Sequence, residues 1–199
     1  MCGIVGYTGK RQATPILLDG LSRLEYRGYD SSGIAVANKD TVEVVKAQGR
    51  LAELYKRTGD RPAGVTGIGH TRWATHGGPS DVNAHPHYSG NKTFAVVHNG
   101  IIENYLELRA FLSDRGFTFL SETDTEIVPM LLEYYYDGDM LDAIIKTRNK
   151  LKGSYALGIL HAGDGNVFYA LRKDSPLVIG LVEGENFIAS DMPALLTHT

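Results

Sequence analysis

The first six residues, Met1-Cys2-Gly3-Ile4-Val5-Gly6, constrain this chain more than any other stretch. Cys2 is the only cysteine among 199 residues, and it opens directly into a run, Gly3 to Tyr7, that reads as a short strand ended by Thr8-Gly9. Loss of Met1 is expected because the second side chain is small, and it would leave a thiol and a free α-amine on one residue. A thiol titrates near ~8.5 and an α-amine near ~7.7 to 8, so that amine can take the thiol proton close to neutral pH. No separate catalytic histidine is then required. The plain alternative is that a cysteine beside Gly-Ile-Val is a small apolar residue of a buried strand.

Beyond that strand, Thr14-Pro15 predicts a helix capped by Thr14, with Ile16, Leu17, Leu21 and Leu24 at helical spacing and Gly28 as a left-handed cap. Tyr26-Arg27-Gly28-Tyr29-Asp30 then falls on a loop. Ile34 to Ala37 and Val42 to Gln48 read as adjacent strands, Leu51 to Lys56 as a short helix, and Thr66 to His70 as a strand. From Thr71 to about Lys92 the glycines and prolines forbid regular structure, and a loop that long is uncommon unless it has a function. Thr93 to Val97 reads as a buried strand stopped by His98-Asn99-Gly100. Asn104 with Glu107, and Thr123 with Glu126, have capping-box spacing ahead of helices to Arg115 (closed by Gly116) and to Tyr136. Pro129 would strain the interior of the second, so that helix is expected to start later or to bend. Asp139 begins a third helix, to about Leu151. The remainder is strand-rich: Tyr155 to His161, Val167 to Leu171, Leu177 to Leu181 and Phe187 to Ser190, with Asp164-Gly165 as a hairpin signal. Strands at both ends with helices between them predict an α+β fold, sheets packed together and covered by helices, as one domain.

Composition excludes several function classes. Twenty Lys+Arg against 23 Asp+Glu give a net charge of −3 with no basic block, which argues against nucleic acid or an anionic membrane as partner. No apolar run approaches the ~20 residues needed to span a bilayer, and no basic leader or lipidation signal is visible. A single cysteine makes no intramolecular disulfide, which fits a reducing cytoplasm.

Three clusters then need a reason to exist together: His70 through Gly78, His98-Asn99-Gly100, and Ser121-Glu122-Thr123-Asp124. If Cys2 attacks a carboxamide, the tetrahedral intermediate carries an oxyanion that needs two preorganised donors. Asn99 can offer a side-chain N–H and Gly100 a backbone N–H. Arg72 has the bidentate fork that suits a carboxylate, and Asp124 a counter-charge for an ammonium. Together they suit free glutamine or asparagine better than a peptide. Taken singly, Asn-Gly is a common hairpin turn, Arg72 and Asp124 are ordinary surface charges, and Trp73 is ordinary packing. Five histidines between positions 70 and 98, with His85-Pro86-His87 as a possible chelate, raise a metal-binding reading, but no helical metal motif accompanies them. A non-catalytic interaction domain with Cys2 in its core is the third reading.

Several stretches then carry a family resemblance. Met1 to Gly6, Leu24 to Ser31, His70 to Gly77, Asn83-Ala84-His85-Pro86-His87, His98 to Asn104 and Ser121 to Glu126 together resemble the class II glutamine amidotransferase domain. Gly153 to Ala156, Ser175 to Gly180 and Glu185 to Asp191 agree, in the same order along nearly the whole chain. The resemblance implies an N-terminal-nucleophile (Ntn) hydrolase fold, a four-layer αββα sandwich with two antiparallel sheets. It implies hydrolysis of L-glutamine to glutamate and ammonia through a thioester, with Cys2 as nucleophile, its α-amine as base, and Asn99 and Gly100 as oxyanion hole. Arg72 would hold the α-carboxylate and Asp124 the amine. Trp73, Thr75 and His76 would line the glutamine site, with His85 and Arg27 in support. The loop from Arg72 to about Ser80 would close over glutamine on Gly77 and Gly78, and Trp73 would guard the ammonia exit. No cofactor and no metal are implied. Members of the family that feed purine or asparagine synthesis share the cysteine and Asn-Gly, but several carry Gly-Pro-Asp where this chain has Gly28-Tyr29-Asp30. The match is to members that deliver ammonia to fructose 6-phosphate through a sugar isomerase domain absent from residues 1–199. The chain is therefore expected to be a slightly truncated glutaminase domain of a cytoplasmic homo-oligomer.

Overall fold

Alternation along the strands sorts the side chains into layers. In β1 (Gly3–Thr8), Val5 and Tyr7 enter one apolar cluster and Ile4 another, as the two-residue period of a strand requires. The same division recurs in β2 (Ser31–Ala37), where Ile34 and Val36 face one way and Ala35 and Ala37 the other. The structure, a computed structural model, describes residues 2–59 and 61–196. The expected loss of Met1 lies outside the described residues.

One sheet has six strands in the order β3 (Val42–Gln48), β2, β4 (Thr66–Arg72), β1, β10 (Glu185–Ala189), β9 (Val178–Val182). The other has four: β5 (His87–Tyr88), β6 (Phe94–Ile102), β7 (Gly153–His161), β8 (Phe168–Lys173). Neighbouring strands in both are antiparallel. Helices α1 (Ala13–Ser22) and α2 (Leu51–Thr58) cover the first sheet through Leu17, Leu21, Leu51 and Leu54. Helices α3 (Tyr105–Ser113), α4 (Ile127–Tyr135) and α5 (Met140–Lys150) cover the second through Leu108, Leu112, Leu131 and Met140. Between the sheets lie Ile4, Ala35, Ile68, Ala95, Val97, Ala156 and Ile188. This is the four-layer αββα arrangement of an Ntn hydrolase. No helix of the described residues is long and apolar enough to cross a membrane.

Several local expectations are corrected. The largest concerns His98-Asn99-Gly100, which does not stop β6: the strand runs on to Ile102, with Asn99 opposite Ala156 and Gly100 opposite Tyr155. Gly100 does this at φ +128°, with its α-carbon so close to Ser154 that a Cβ would stand 2.1 Å from the Ser154 carbonyl oxygen. Gly28 is extended at φ −167°, not a left-handed cap, and α1 ends earlier, at Ser22. What Gly28 supplies is clearance, since a Cβ there would lie 2.7 Å from the Arg72 carbonyl carbon. Thr14 does not cap α1 but donates to the Pro62 carbonyl. Neither capping box forms. Asn104 donates to the Lys150 carbonyl and accepts from Lys152 N–H, and the Glu126 carboxylate accepts from the Leu120 and Ser121 N–H groups. Tertiary partners outbid local ones in both places. Asp139 does cap α5, accepting from the Leu141 and Asp142 N–H groups. Pro129 falls in the first turn of α4, where its missing N–H removes no helical bond, because that helix starts later.

The Gly28 contact gives a direct check on the fold. Gly28→Ala forces backbone apart and should cost roughly 1 to 3 kcal/mol, a loss of several degrees in Tm. Gly78, with open space around its α-carbon and no positive φ, should accept alanine with little change. Equal melting temperatures for the two variants would contradict the close approach.

Candidate active site

The positions that fill the inter-sheet layer change character at one end of the sandwich. Ile4 in β1 and Ile68 in β4 are apolar, but Cys2 stands one period before Ile4, and His70 and Arg72 one and two periods after Ile68. On the facing strand β6, Ala95 and Val97 are followed by Asn99. The register sets His70 opposite Ile4 and Arg72 opposite Ser31. A cavity of about 410 Å³ opens there, and its lining includes Cys2, Asn99, Gly100, Arg72, Asp124 and Trp73. Thr75, His76, His85 and Arg27 line it too, so all ten residues singled out from the sequence come together.

Cys2 is partly buried, and its Sγ accepts from the Trp73 N–H at 3.2 Å. Burial raises the thiol above its ordinary value, while the Trp73 N–H and the Arg72 charge oppose that rise by favouring the thiolate. Asn99 Nδ2 donates to the Cys2 carbonyl at 3.0 Å, which leaves its second N–H free for another acceptor. Arg27 Nε also donates to that carbonyl, at 3.4 Å, while its Nη1 pairs with Asp191 at 2.5 Å. Arg27 and Asn99 thus hold the same cysteine carbonyl.

Arg72 is 3% exposed. Its Nη2 donates to the carbonyls of His76 and Gly77, drawing the loop that follows β4 over the cavity, and its Nη1 is buried with no partner among the described residues. A buried, unpaired guanidinium N–H is costly, and an incoming carboxylate is the group that would satisfy it. Gly77, at φ +72°, turns the chain back, and Asn83 fastens the turn by donating to Gly78 O and Glu122 while accepting from Glu122 N–H. At the start of the same loop, Asp30 accepts from the Ala74 N–H. Trp73 is 48% exposed with its ring against Tyr29. His76 lies against Tyr105, and Thr75 Oγ1 is 3.4 Å from its Nδ1. Asp124 is buried, and its Oδ2 accepts from Ile102 N–H at 2.7 Å.

His70, His85 and His98 form a wall of the cavity, and His87 packs against His85 to make a cluster of four. His85 stacks on His70 at 4.3 Å and packs edge-on to His87 at 4.8 Å; its Nδ1 accepts from His98 N–H. Burial holds His70 at about 3 and His98 at about 4, with His85 and His87 also well below the usual histidine value. The wall is therefore neutral near pH 7. His87 is engaged with Thr123 Oγ1, and among the described residues no group of three His, Cys, Asp or Glu side chains is placed to hold a metal ion. The cavity also takes in His70, His98, Ile101, Thr123, Thr125, Ser154, Ser175 and Pro176, which were not assigned to a site from sequence. His70, His98 and Thr123 stood inside the clusters already noted. Ser154, Ser175 and Pro176 reach the cavity only through the pairing of β7 and the loop before β9.

Two pH dependences follow. The four histidines are neutral when folded and become cationic when unfolded below about pH 6.5, so the unfolded chain binds more protons there. Stability is then complete above that pH and is lost as pH falls toward 4, by about 1.4 kcal/mol per pH unit for each histidine. Urea titrations between pH 7 and 5 should show this slope, and His85→Gln should flatten it; a pH-independent midpoint would contradict it. Separately, in the chain that keeps Met1, alkylation of Cys2 by iodoacetamide without glutamine should accelerate through a midpoint above that of free cysteine. A midpoint below it would mean that burial does not dominate at the thiol.

A family model described as a glutamine amidotransferase domain matches residues 70–197. The glutamine–fructose-6-phosphate aminotransferase (isomerizing) of Clostridium acetobutylicum is 57% identical over 200 aligned positions, covering all of this chain and 33% of that protein. The protein of the same name from Thermus thermophilus is 56% identical with the same coverage. The chain thus spans about a third of the length of these curated relatives. Among solved structures, glutamine phosphoribosylpyrophosphate amidotransferase from B. subtilis superposes with a TM-score of 0.84 at 28% identity, over 98% of this chain and 43% of that one. The structure described as the allosteric regulatory enzyme of purine biosynthesis gives 0.85 at 29%, with the same coverage. With the fold, the cavity and the family model in agreement, the chain belongs to the glutamine amidotransferase domain family.

Proposed function

We propose that residues 1–199 are the glutaminase domain of a glutamine–fructose-6-phosphate aminotransferase, which releases ammonia from L-glutamine for transfer to fructose 6-phosphate. The observation that carries the reading is the convergence of one thiol, one unpaired buried guanidinium N–H, one carboxylate and one free amide N–H on a single cavity. The sugar specificity is supported by the identity to the aminotransferases over the full chain. Fructose 6-phosphate would bind the isomerase part of a longer, homo-oligomeric protein of the cytoplasm that serves hexosamine synthesis. The superposition on glutamine phosphoribosylpyrophosphate amidotransferase supports the glutaminase chemistry, at lower identity.

In the mechanism, Met1 is removed and the Cys2 α-amine takes the thiol proton. The thiolate attacks the δ-carboxamide carbon, and the resulting oxyanion accepts from the free Asn99 N–H and the Gly100 N–H. The amine returns its proton to the departing ammonia, and water then hydrolyses the γ-glutamyl thioester to glutamate. Arg72 Nη1 pairs with the α-carboxylate, Asp124 with the α-ammonium, and Thr75 and His76 complete the pocket. His85 backs it and Arg27 steadies Cys2. Closure of the 72–80 loop would exclude water, with Trp73 at the mouth.

Glutaminase assays separate these roles. Cys2→Ala should abolish glutamate release, as should an N-terminal extension verified by intact mass. Asn99→Ala should lower kcat roughly 100- to 1000-fold. Arg72→Lys, which loses the fork, should chiefly raise KM. Full activity with the extension in place would remove the α-amine from the mechanism, and full activity of Cys2→Ala would overturn the reading.

A further inference from the structure

The Asn99 amide has two faces of opposite polarity, and only one of them can serve an oxyanion. Its two ends are distinguished by their neighbours. One lies 3.0 Å from the Cys2 carbonyl oxygen, which only accepts hydrogen bonds, so that end is the NH2 group. The other end, Oδ1, lies 2.9 Å from Nε2 of His70. The same Nε2 is 3.0 Å from the His98 carbonyl oxygen. Two acceptors converging on one ring nitrogen require that it carry the proton. His70 is thus the Nε2–H tautomer, and its Nδ1 is buried without a partner among the described residues.

Resting on the glutaminase reading above, we infer that His70 is a positioning residue that locks the Asn99 amide and the backbone at His98 by a shared Nε2–H donation, aiming both oxyanion donors. Without that donor the amide could turn over and present Oδ1 to the developing negative charge. The contact to His98 O fixes β6 just ahead of Gly100, so the second donor is steadied by the same proton. Position and tautomer are secured by the surroundings. His70 is fully buried in β4, opposite Ile4 of β1 and Gly33 of β2, with its ring stacked on His85 at 4.3 Å. Burial depresses its proton affinity, so the ring stays neutral and the arrangement holds throughout the working pH range. The energy of a neutral histidine with an idle Nδ1 makes little sense as packing alone, where an apolar ring would fill the same volume.

Four variants and one spectrum test this: His70→Phe, His70→Gln, Asn99→Ala, and His70→Phe combined with Asn99→Ala. His70→Phe should lower kcat roughly 10- to 100-fold, with KM for glutamine and the rate of Cys2 alkylation by iodoacetamide nearly unchanged. His70→Gln, which can still donate, should recover part of the loss. In the Asn99→Ala background His70→Phe should have a much smaller further effect, the part of its role that reaches Gly100 through the His98 carbonyl being all that remains. Multiplying effects in the double variant, a loss seen in KM alone, or full kcat in His70→Phe would each overturn the inference. If His70→Phe does not fold, histidine-selective nitrogen-15 spectra of the unaltered chain decide: a proton on Nε2 of His70 supports the inference, and a bare Nε2 defeats it. Asn99→Ala and Cys2→Ala that both leave glutaminase activity intact would instead bring down the functional reading on which it rests.

Discussion

Close packing of two antiparallel sheets, face to face, is the constraint on which the rest of this structure depends. The layer between them is filled largely by small or β-branched residues, Ala35, Ala95, Ala156, Ile4, Ile68, Val97 and Ile188, which let the sheets approach and interdigitate. Because a strand alternates its faces strictly, residues one or two periods from Ile4, Ile68 and Val97 point into that same layer. Cys2 just before β1, His70 and Arg72 in β4, and Asn99 in β6 occupy those places. A slip of one residue in any pairing would send the thiol or the amide toward the covering helices instead.

Placing polar groups in a layer built for apolar ones has electrostatic consequences. The histidine wall is accommodated by staying uncharged and by stacking ring on ring, while Arg72 keeps its charge and spends one nitrogen on the carbonyls of its own loop. Its other nitrogen and Nε2 of His98 remain buried without partners among the described residues. Unsatisfied donors and acceptors cost stability in an ordinary core. Here they line a cavity, where a ligand with a carboxylate and polar substituents would satisfy what the protein leaves open.

The elements themselves were legible where local chemistry and burial agree. The α5 cap at Asp139, the hairpin between β2 and β3 and the turn at Asp164-Gly165 all follow from residues adjacent in the chain. Legibility failed where a distant partner made a better offer. Asn104 and Glu126 have capping spacing, yet their side chains serve the α5–β7 connection and the segment at Leu120. Asn99-Gly100 carries a turn signal, but nine residues of β7 hold it in register, and glycine at φ +128° absorbs the distortion that a close neighbour at Ser154 imposes. Cys2, Arg72, Asn99, Gly100 and Asp124 were picked out by residue chemistry, and Arg27, Trp73, Thr75, His76 and His85 by the family resemblance, and all ten line one cavity; Ser154, Ser175 and Pro176 line it too but lie in matching segments to which no role had been given.

The amino-acid sequence by itself determined the strand and helix inventory apart from the short β5, which lies in the stretch read as irregular, together with the family and the kinds of group available for chemistry, because alternation, turn residues and motif spacing are properties of neighbouring positions. Only the tertiary structure decided which of those groups meet, that the Asn-Gly pair lies within a strand rather than at its end, and that a buried histidine faces the Asn99 amide. Those outcomes depend on register between strands 28 or more residues apart along the chain, such as His70 and His98. Register over such separations is settled by burial of whole faces, which no local stretch of sequence contains.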